Sequence, residues 1–413
     1  MDHKQNNQYE TRLKRFTDSV TLQGADRIPI IPNGTHYYPT RTAGVSNKEA
    51  TYNHEKRYQA WKEMVLEYDF DMAPGQGVIP GQWFEALGVN YYKWPGGGLG
   101  DNQPFQFDEQ EFLMADEYDV FLADPADFTI RVIWPRKAKA LEPFGALPPL
   151  QWFSLDPISL AAHMATPSFA ATLAALQKLG EEFNNFLEVD IKYVAELEEL
   201  GYPTYYRTWG HLPYDLVANN YRGMRGIMID MFRNPDKLLA VMDSLTPMII
   251  DNTIQAAKAV DNPRVPVWLH RGAAGFMSDE QYQKFYWPGL QAVVKGLLDA
   301  GLTPILVIRG DYTPRLPYLA ELPRGQVPLQ FDSVDRQQAR QIIGGRQCFC
   351  SNVPASLLIS GTPQDVKDDV KSLIDLFGDT GGLIIDGSAA IPDESKPENV
   401  AAMVEATLEY GAS

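Results

Sequence analysis

Short apolar runs rich in β-branched and aromatic residues alternate along the chain with longer stretches whose apolar positions recur every three or four residues. The runs are RIPIIP at 27–32, DFDMAP at 69–74, PTYYRTW at 203–209, VPVWLH at 265–270, PILVIR at 304–309, VPLQFD at 327–332, QCFCS at 347–351 and GLIIDG at 382–387. Each is followed by polar or glycine-containing sequence, which reads as a strand end. Helical periodicity covers 46–67, 168–200, 220–259, 278–301, 334–343, 363–377 and 397–410. Ser278 followed by Gln281, and Thr362 followed by Pro363, are helix start signals. Eight strands with interposed helices predict an α/β protein, a (β/α)8 TIM-type barrel occupying 1–413 as one domain. A doubly wound open sheet fits less well, because no GxGxxG follows the first run.

Residues 75–167 break this alternation, being rich in glycine, proline, aromatics and acids, as in WPGGGLGDNQPFQFDEQEF. They read as a long insertion after strand two, which in a barrel would shape the mouth or form a lid, with surface decoration as the alternative.

Composition narrows the function. An apolar content of 45% with 22% charged residues is that of a globular chain with a sizeable core. The net charge of −17 would repel nucleic acid and anionic membrane surfaces, so small molecules or proteins are the expected partners. The start MDHKQNNQYETRLKRF has no apolar targeting core, and no long uninterrupted apolar stretch occurs, so a cytoplasmic location is expected. Cys348 and Cys350 lie two apart in a strand, pointing to one face. They read as buried thiols, since a CxC with no neighbouring Cys or His is a weak metal signal and a poor disulfide geometry.

Barrel enzymes place reactive groups at the carboxyl ends of their strands. Those ends offer His36 and Tyr37, then Gln76, then Trp209 and His211, then His270 with Arg271, then Arg309 with Asp311, then Asp332, Asn352, and Asp386 with Ser388. No GxSxG, HExxH, Walker loop or CxxC is present, so the chemistry must rest on dispersed residues. His270 is the leading candidate for a catalytic group, because a strand-end imidazole can donate to a leaving oxygen, with a structural histidine as the alternative. Asp332 and Asp311 are the candidate carboxylates, and Arg309 with Asp311 could equally form a salt bridge across the mouth. The substrate-binding candidates are His36, Tyr37, Trp83, Tyr206, Trp209, His211, Arg271, Arg309 and Asn352, whose aromatics would suit a flat apolar ligand or simply pack the core.

Several segments resemble the uroporphyrinogen decarboxylase superfamily. MSDEQYQKFYWPGLQAVVKGLLDAGLTPILVIRGDY, SNVPASLLISGTPQDVKDDVKSLI and IIDGSAAIPDESKPENVAAMVEATLEYG are similar to its later strands, its Gly-Thr-Pro helix start and its final Pro-Glu-Asn-Val helix. GADRIPIIP is similar to its Asp-Arg-x-Pro opening. The resemblance implies the barrel and one of several chemistries. The decarboxylase itself carries an arginine-rich segment after strand one that grips porphyrinogen carboxylates; NGTHYYPTRTAG has only Arg41. The superfamily's zinc methyltransferases use His-x-Cys and a later Cys, where this chain has Val307, Arg309 and Ser388 or Ala389, so no zinc is expected there. What remains implied is a corrinoid-dependent methyltransferase of the O-demethylase type. It would move a methyl group from a small methoxy-aromatic donor to cob(I)alamin carried by a partner corrinoid protein, with a homodimer left open. The rivals are a decarboxylase or lyase on a small cyclic acid, with Arg309, Arg271 or Arg41 holding a carboxylate, and a non-catalytic ligand- or corrinoid-binding barrel.

Overall fold

The computed structural model describes residues 3–33, 36–75, 77–350, 352–388 and 390–412, with the side chains of 3–6 left out; Gln76 and Ala389 lie outside the described residues. Five parallel strands form one sheet in chain order: Arg264–Leu269, Thr303–Asp311, Leu329–Ser333, Phe349–Cys350 and Leu383–Ile384. Helices connect them, including Trp287–Asp299, Arg336–Ile343 and Pro363–Phe377, and Pro397–Tyr410 follows the last. The start signals act as read, Ser278 closing a reciprocal capping box with Gln281 and Pro363 opening its helix after Thr362; Thr362 also closes a box with Asp365, which the sequence reading did not name. In Pro363–Phe377 the apolar residues Val366, Val370, Leu373 and Phe377 fall on one face and are buried.

The three earlier runs join differently from the eight-strand expectation. They contribute single parallel bridges instead of ladders: Ile30 with Ile385, Ala73 with Thr204 and Gly210 with Val267. Pro29, Pro32, Pro74 and Pro203 sit in these runs, and each removes a backbone donor and fixes φ, although Pro266 and Pro304 stand inside full ladders, so proline alone does not set the difference. Among the described residues the laddered sheet therefore has five strands and does not close into a ring of eight. Contacts of the same kind still link the runs, as in Asp71 N–H to Ile30 O at 2.9 Å and Ala73 N–H to Pro203 O at 2.9 Å. Residues 81–164 hold a small sheet of Tyr92–Pro95, Gly98–Leu99 and Gln106–Phe107 with short helices, and lead into the 33-residue helix Pro167–Glu199.

Two apolar clusters matter for the site. The larger packs helices against the outside of the sheet. The smaller lies inside and joins Ile31, Met72, Tyr205, Tyr206, Val307, Cys350 and their neighbours, with Phe16 and Val20 from the first helix closing it off. That helix is fastened at the amino-terminal end of the runs by buried charge. Fully buried Asp71 accepts from Arg15, from both Arg27 Nη atoms at 2.9 Å and from Ile30 N–H at 2.8 Å, while Arg15 also holds Asp26 at 2.6 and 2.7 Å. Asp26 and Arg27 of the GADRIPIIP opening are thus parts of one clamp. No single helix among the described residues is long and apolar enough to cross a membrane.

Candidate active site

Sheet register builds the site. Trp268 pairs with Val307, Val307 with Gln330, Gln330 with Cys350 and Cys350 with Ile384, so these five stand in one row. The period of two places His270, Arg309, Asp332, Asn352 and Asp386 one step nearer the carboxyl ends. The register between the second and third strands slips between Ile308 and Asp311, where Gly310 takes a positive φ of 77°. A side chain there would be strained, and its Cβ would come within 3.0 Å of the Ala273 Cβ.

Arg309 is the centre of the arrangement. Its guanidinium lies 5.3 Å from the centroid of the Trp268 ring, and the His270 imidazole stands parallel to that ring, 6.2 Å away. Burial pulls the Arg309 pKa down, and the neighbouring Asp332, Asp386 and Tyr206 oppose that pull. Asp332 accepts from the Gly310 N–H at 3.2 Å and from the Ser388 hydroxyl at 3.1 Å. Fully buried Asp386 accepts from the N–H groups of Asn33 and Gly387 and from Gln330 Nε2, while Asn33 Nδ2 donates to Gln330 Oε1 at 2.5 Å. Burial drives the Asp386 pKa well up, against the Asn33 and Gly387 donors and Arg309.

The imidazoles are held neutral. His270 is exposed, yet protein surrounds it closely; burial first, then the charges of Arg309 and Arg271, push its pKa down to about 4. His211 is lowered by burial as well. His36 meets the Gly77 carbonyl through Nδ1 at 2.7 Å and the Phe105 ring edge-on at 5.2 Å; burial lowers its pKa against the opposing charge of Asp393. Behind His270, the buried Asp215 carboxylate accepts from the Tyr286 hydroxyl at 2.6 Å and from the His270 N–H at 3.4 Å, and burial pushes its pKa up to about 7. Asp215 therefore fixes the backbone that presents His270.

The other predicted residues are placed as follows. Tyr206 is buried in the inner cluster, filling the space where a side chain at Gly75 would stand. Tyr37 is 1% exposed with its hydroxyl 3.0 Å from Thr51, so its ring packs away from Arg309, and its N–H donates to Asp393 at 2.7 Å. Trp83 packs on Phe183 and Phe186 of the long helix. Trp209 is 52% exposed at the rim. Arg271 pairs with Glu109 at 3.1 Å. Asn352 is buried and accepts from Arg336, which Asp369 grips with two bonds. Asp311 is exposed and caps a turn through the Thr313 N–H at 2.9 Å. The structure thus gathers Tyr206, His270, Arg309 and Asp332 with the strand-end Asp386, sets His36 close enough to feel the charge of Arg309, and adds Asn33, Gln330, Trp268 and Asp215. Gln330 was detectable as a polar residue two positions before Asp332; nothing local marks Asn33.

Among the described residues no three His, Cys, Asp or Glu side chains gather to hold a metal ion. Val307 is fully buried, Arg309 is a cation and Ser388 donates to Asp332, so the side chains at the superfamily's zinc positions do not fit zinc. A groove of about 840 Å³, lined by lysines and glutamates such as Lys56, Glu63 and Lys192, opens on the outer surface between helices His54–Tyr68 and Pro167–Glu199 and contains none of the residues gathered around Arg309.

Comparison with known proteins places this geometry in context. Residues 211–410 match the family of uroporphyrinogen decarboxylase (URO-D). The uroporphyrinogen decarboxylase of Paraburkholderia phytofirmans is 25% identical over 182 residues, 42% of this chain and 49% of that protein. That of Ruthia magnifica is 24% identical over 198 residues, 47% of this chain and 54% of that protein. The chain spans about half the length of the curated relatives it matches. Among solved structures, a methyltransferase from Methanosarcina mazei superposes with a TM-score of 0.62 at 15% identity, covering 97% of this chain and 98% of that one. That likeness is one of fold.

Proposed function

We propose that this chain, whose residues 211–410 match the URO-D family, is a cytoplasmic methyltransferase that moves a methyl group from a small methoxy-aromatic donor to a corrinoid carried by a partner protein. The three bridged runs and the five strands are taken as a (β/α)8 barrel, with 75–167 inserted over its mouth. The observation that carries the reading is the Arg309 guanidinium, set inside the fold over Trp268 and beside Asp332, with no metal-ligand set at the described strand ends. A methyl ether releases its oxygen as an anion, and a fixed cation aimed at that oxygen stabilises the charge as it develops. Trp268 and His270, being parallel flat rings, offer a face for an aromatic donor. The neutral imidazole of His270 is suited to hydrogen-bonding the donor, and Asp215 holds the His270 backbone N–H.

The corrinoid would supply the nucleophile for the methyl carbon. Its fit rests on the rim, where the exposed Trp209 indole and the neutral, exposed His211 imidazole are a flat apolar surface and a polar ring of the kind a corrin face meets. This chain's own part is to bind the donor, orient the ether and meet the leaving oxygen. A second reading, decarboxylation of a small acid, is favoured by the same Arg309, which could grip a carboxylate.

The test is anaerobic incubation of the purified chain with methoxylated aromatics and cob(I)alamin, free or on a corrinoid protein. Methylation of cobalt, followed by absorbance, together with a matching phenol product supports the proposal. Carbon dioxide release from an aromatic acid without methyl transfer gives the site to decarboxylation, and ligand binding with neither product leaves a non-catalytic barrel.

A further inference from the structure

Away from the strand ends, the stretch between strands two and three holds a lysine with unusual partners. Lys62 and Lys371 each reach a carboxylate, Glu196 at 2.8 Å and Asp375 at 2.6 Å. Lys137, at the end of the short helix Trp134–Lys137, instead donates to an amide oxygen, Asn220 Oδ1, at 3.2 Å. Its nitrogen stands 5.3 Å from the centroid of the Tyr91 ring and 5.0 Å from that of Phe112. Those rings meet edge to face, 5.7 Å apart at 79°, so the amine sits in the corner between them. Backbone bonds hold the corner in shape. The Lys137 carbonyl accepts from the Asn90 N–H at 3.1 Å and the Tyr91 carbonyl from the Asp108 N–H at 2.8 Å. The Tyr221 carbonyl, next to Asn220, accepts from the N–H groups of Phe112 and Leu113 at 2.7 and 2.8 Å.

An ammonium has three donors, and one amide oxygen with two ring faces replaces its lost water poorly. Burial accordingly pulls the Lys137 pKa down to about 8. About a quarter of such amines are uncharged at pH 7.5, against about one in a thousand for an ordinary lysine. The side chain is half-buried rather than sealed, which leaves the nitrogen within reach of a small reagent.

We propose that Lys137 is an acylation site, whose amine takes a small neutral acyl group from an activated donor, an acyl thioester or an acyl phosphate. The amine nitrogen attacks the acyl carbon; a C–N bond forms, the C–S or C–O bond breaks, the thiolate or phosphate leaves, and the nitrogen gives a proton to solvent. The corner suits the product better than the ammonium. An amide carries no charge to desolvate, offers one N–H to the one Asn220 oxygen, and lays a planar group and a methyl against the Tyr91 and Phe112 rings. An anionic adduct would set its charge against the negative faces of two rings, which selects a neutral acyl group.

The test is residue-resolved mass spectrometry of the full folded chain after timed exposure to acetyl-coenzyme A and, separately, to acetyl phosphate. The exposed Lys139, two positions on, is the internal reference. The larger share of free amine is worth about two-hundredfold, and a weaker base returns about tenfold of that as a poorer nucleophile, judged by the thiol scale. Lys137 is therefore expected to be acetylated at least about tenfold faster than Lys139 at pH 7.5. Its rate should level off above about pH 8, and its advantage should vanish in urea, where the corner is gone. Tyr91→Ser, which opens one wall, is expected to move the midpoint of the rate profile up towards about 10.4, with circular dichroism checking the fold. The donor that reacts distinguishes thioester from acyl phosphate. A Lys137 that reacts no faster than Lys139 with either donor, an advantage that persists in urea, or a midpoint unmoved in folded Tyr91→Ser overturns the proposal.

Discussion

At the candidate site, burial and charge separate two ways of meeting a leaving oxygen, and the pH profile tells them apart. With its pKa near 4, His270 carries an imidazolium in about one molecule in a thousand at pH 7. A positioned general acid contributes about 10²- to 10⁴-fold, and a thousandfold scarcity of the acid form cancels most of that gain. Were the imidazolium the proton donor, kcat would climb about tenfold per unit as pH falls from 7 towards 4. Arg309 keeps its charge across that range, so a site that relies on it gives a profile flat between about pH 5 and 8. Arg309→Met is then expected to lower kcat by about 10²- to 10³-fold, the usual cost of removing one donor from a developing oxyanion, with a smaller change in KM. His270→Asn, which keeps a neutral donor, is expected to cost about tenfold or less. The assay is single-turnover methyl transfer to cob(I)alamin, read optically at each pH. A wild-type kcat that climbs tenfold per unit on acidification, becomes flat in His270→Asn and survives in Arg309→Met would refute the reasoning and return the acid role to the histidine.

Asp71→Ala should destabilise the fold by about 3–5 kcal/mol, because it strips a fully buried carboxylate from Arg15 and Arg27; a urea midpoint unchanged at constant m would contradict this. Burial raises the folded-state pKa of Asp215 to about 7, above the roughly 3.9 of an unfolded chain, so the folded state keeps a proton that the unfolded state has released. Its contribution is therefore full below about pH 4 and lost as pH rises through about 7, by up to about 4 kcal/mol, and Asp215→Asn should flatten the fall in stability between those limits; an unaltered pH dependence of the urea midpoint would count against it. Elemental analysis of the purified chain should find no stoichiometric zinc that is lost on substituting Arg309 or Ser388, since Val307, Arg309 and Ser388 cannot act as the superfamily's ligands.

What could be read from the sequence follows from how local each signal is. The helix starts at Ser278 and at Thr362–Pro363 and the helix 363–377 depend on residues within a few positions of one another, and they appear where they were expected. The first three runs carried strand-like side chains yet form only single bridges, and their prolines do not distinguish them from the laddered strands, which hold Pro266 and Pro304. Strand-end counting led to Arg309, Asp332 and His270 because the period of two persists past the last laddered residue. It could not tell that Asn352 would be engaged by Arg336, sixteen residues earlier, or that Trp83 would lie on a helix a hundred residues later. Partners that distant leave no local trace. Gln330 was passed over because one polar residue inside an apolar strand resembles an interruption, whereas its amide joins Asn33 to Asp386.

That polar bridge bears on which donor the site would accept. Burying Arg309 costs solvation, and Asp332 together with the Trp268 face offsets part of the loss. Asp386 adds less counter-charge than its carboxyl suggests, because burial favours its protonated form. Arg309 thus faces the Asp332 carboxylate and an acid whose charged form burial disfavours, which on the proposed reading suits it to a single negative charge brought in by substrate. The neighbouring cations are committed elsewhere, Arg271 to Glu109 and Arg41 to the Asp393 carbonyl at 3.0 Å. A substrate with several carboxylates would have to bury charges with no matching cation, at several kcal/mol each. On the proposed reading, a small ligand developing one anionic oxygen is the better match, and the same charge count argues against a porphyrinogen even though the chain's matched relatives act on one by name.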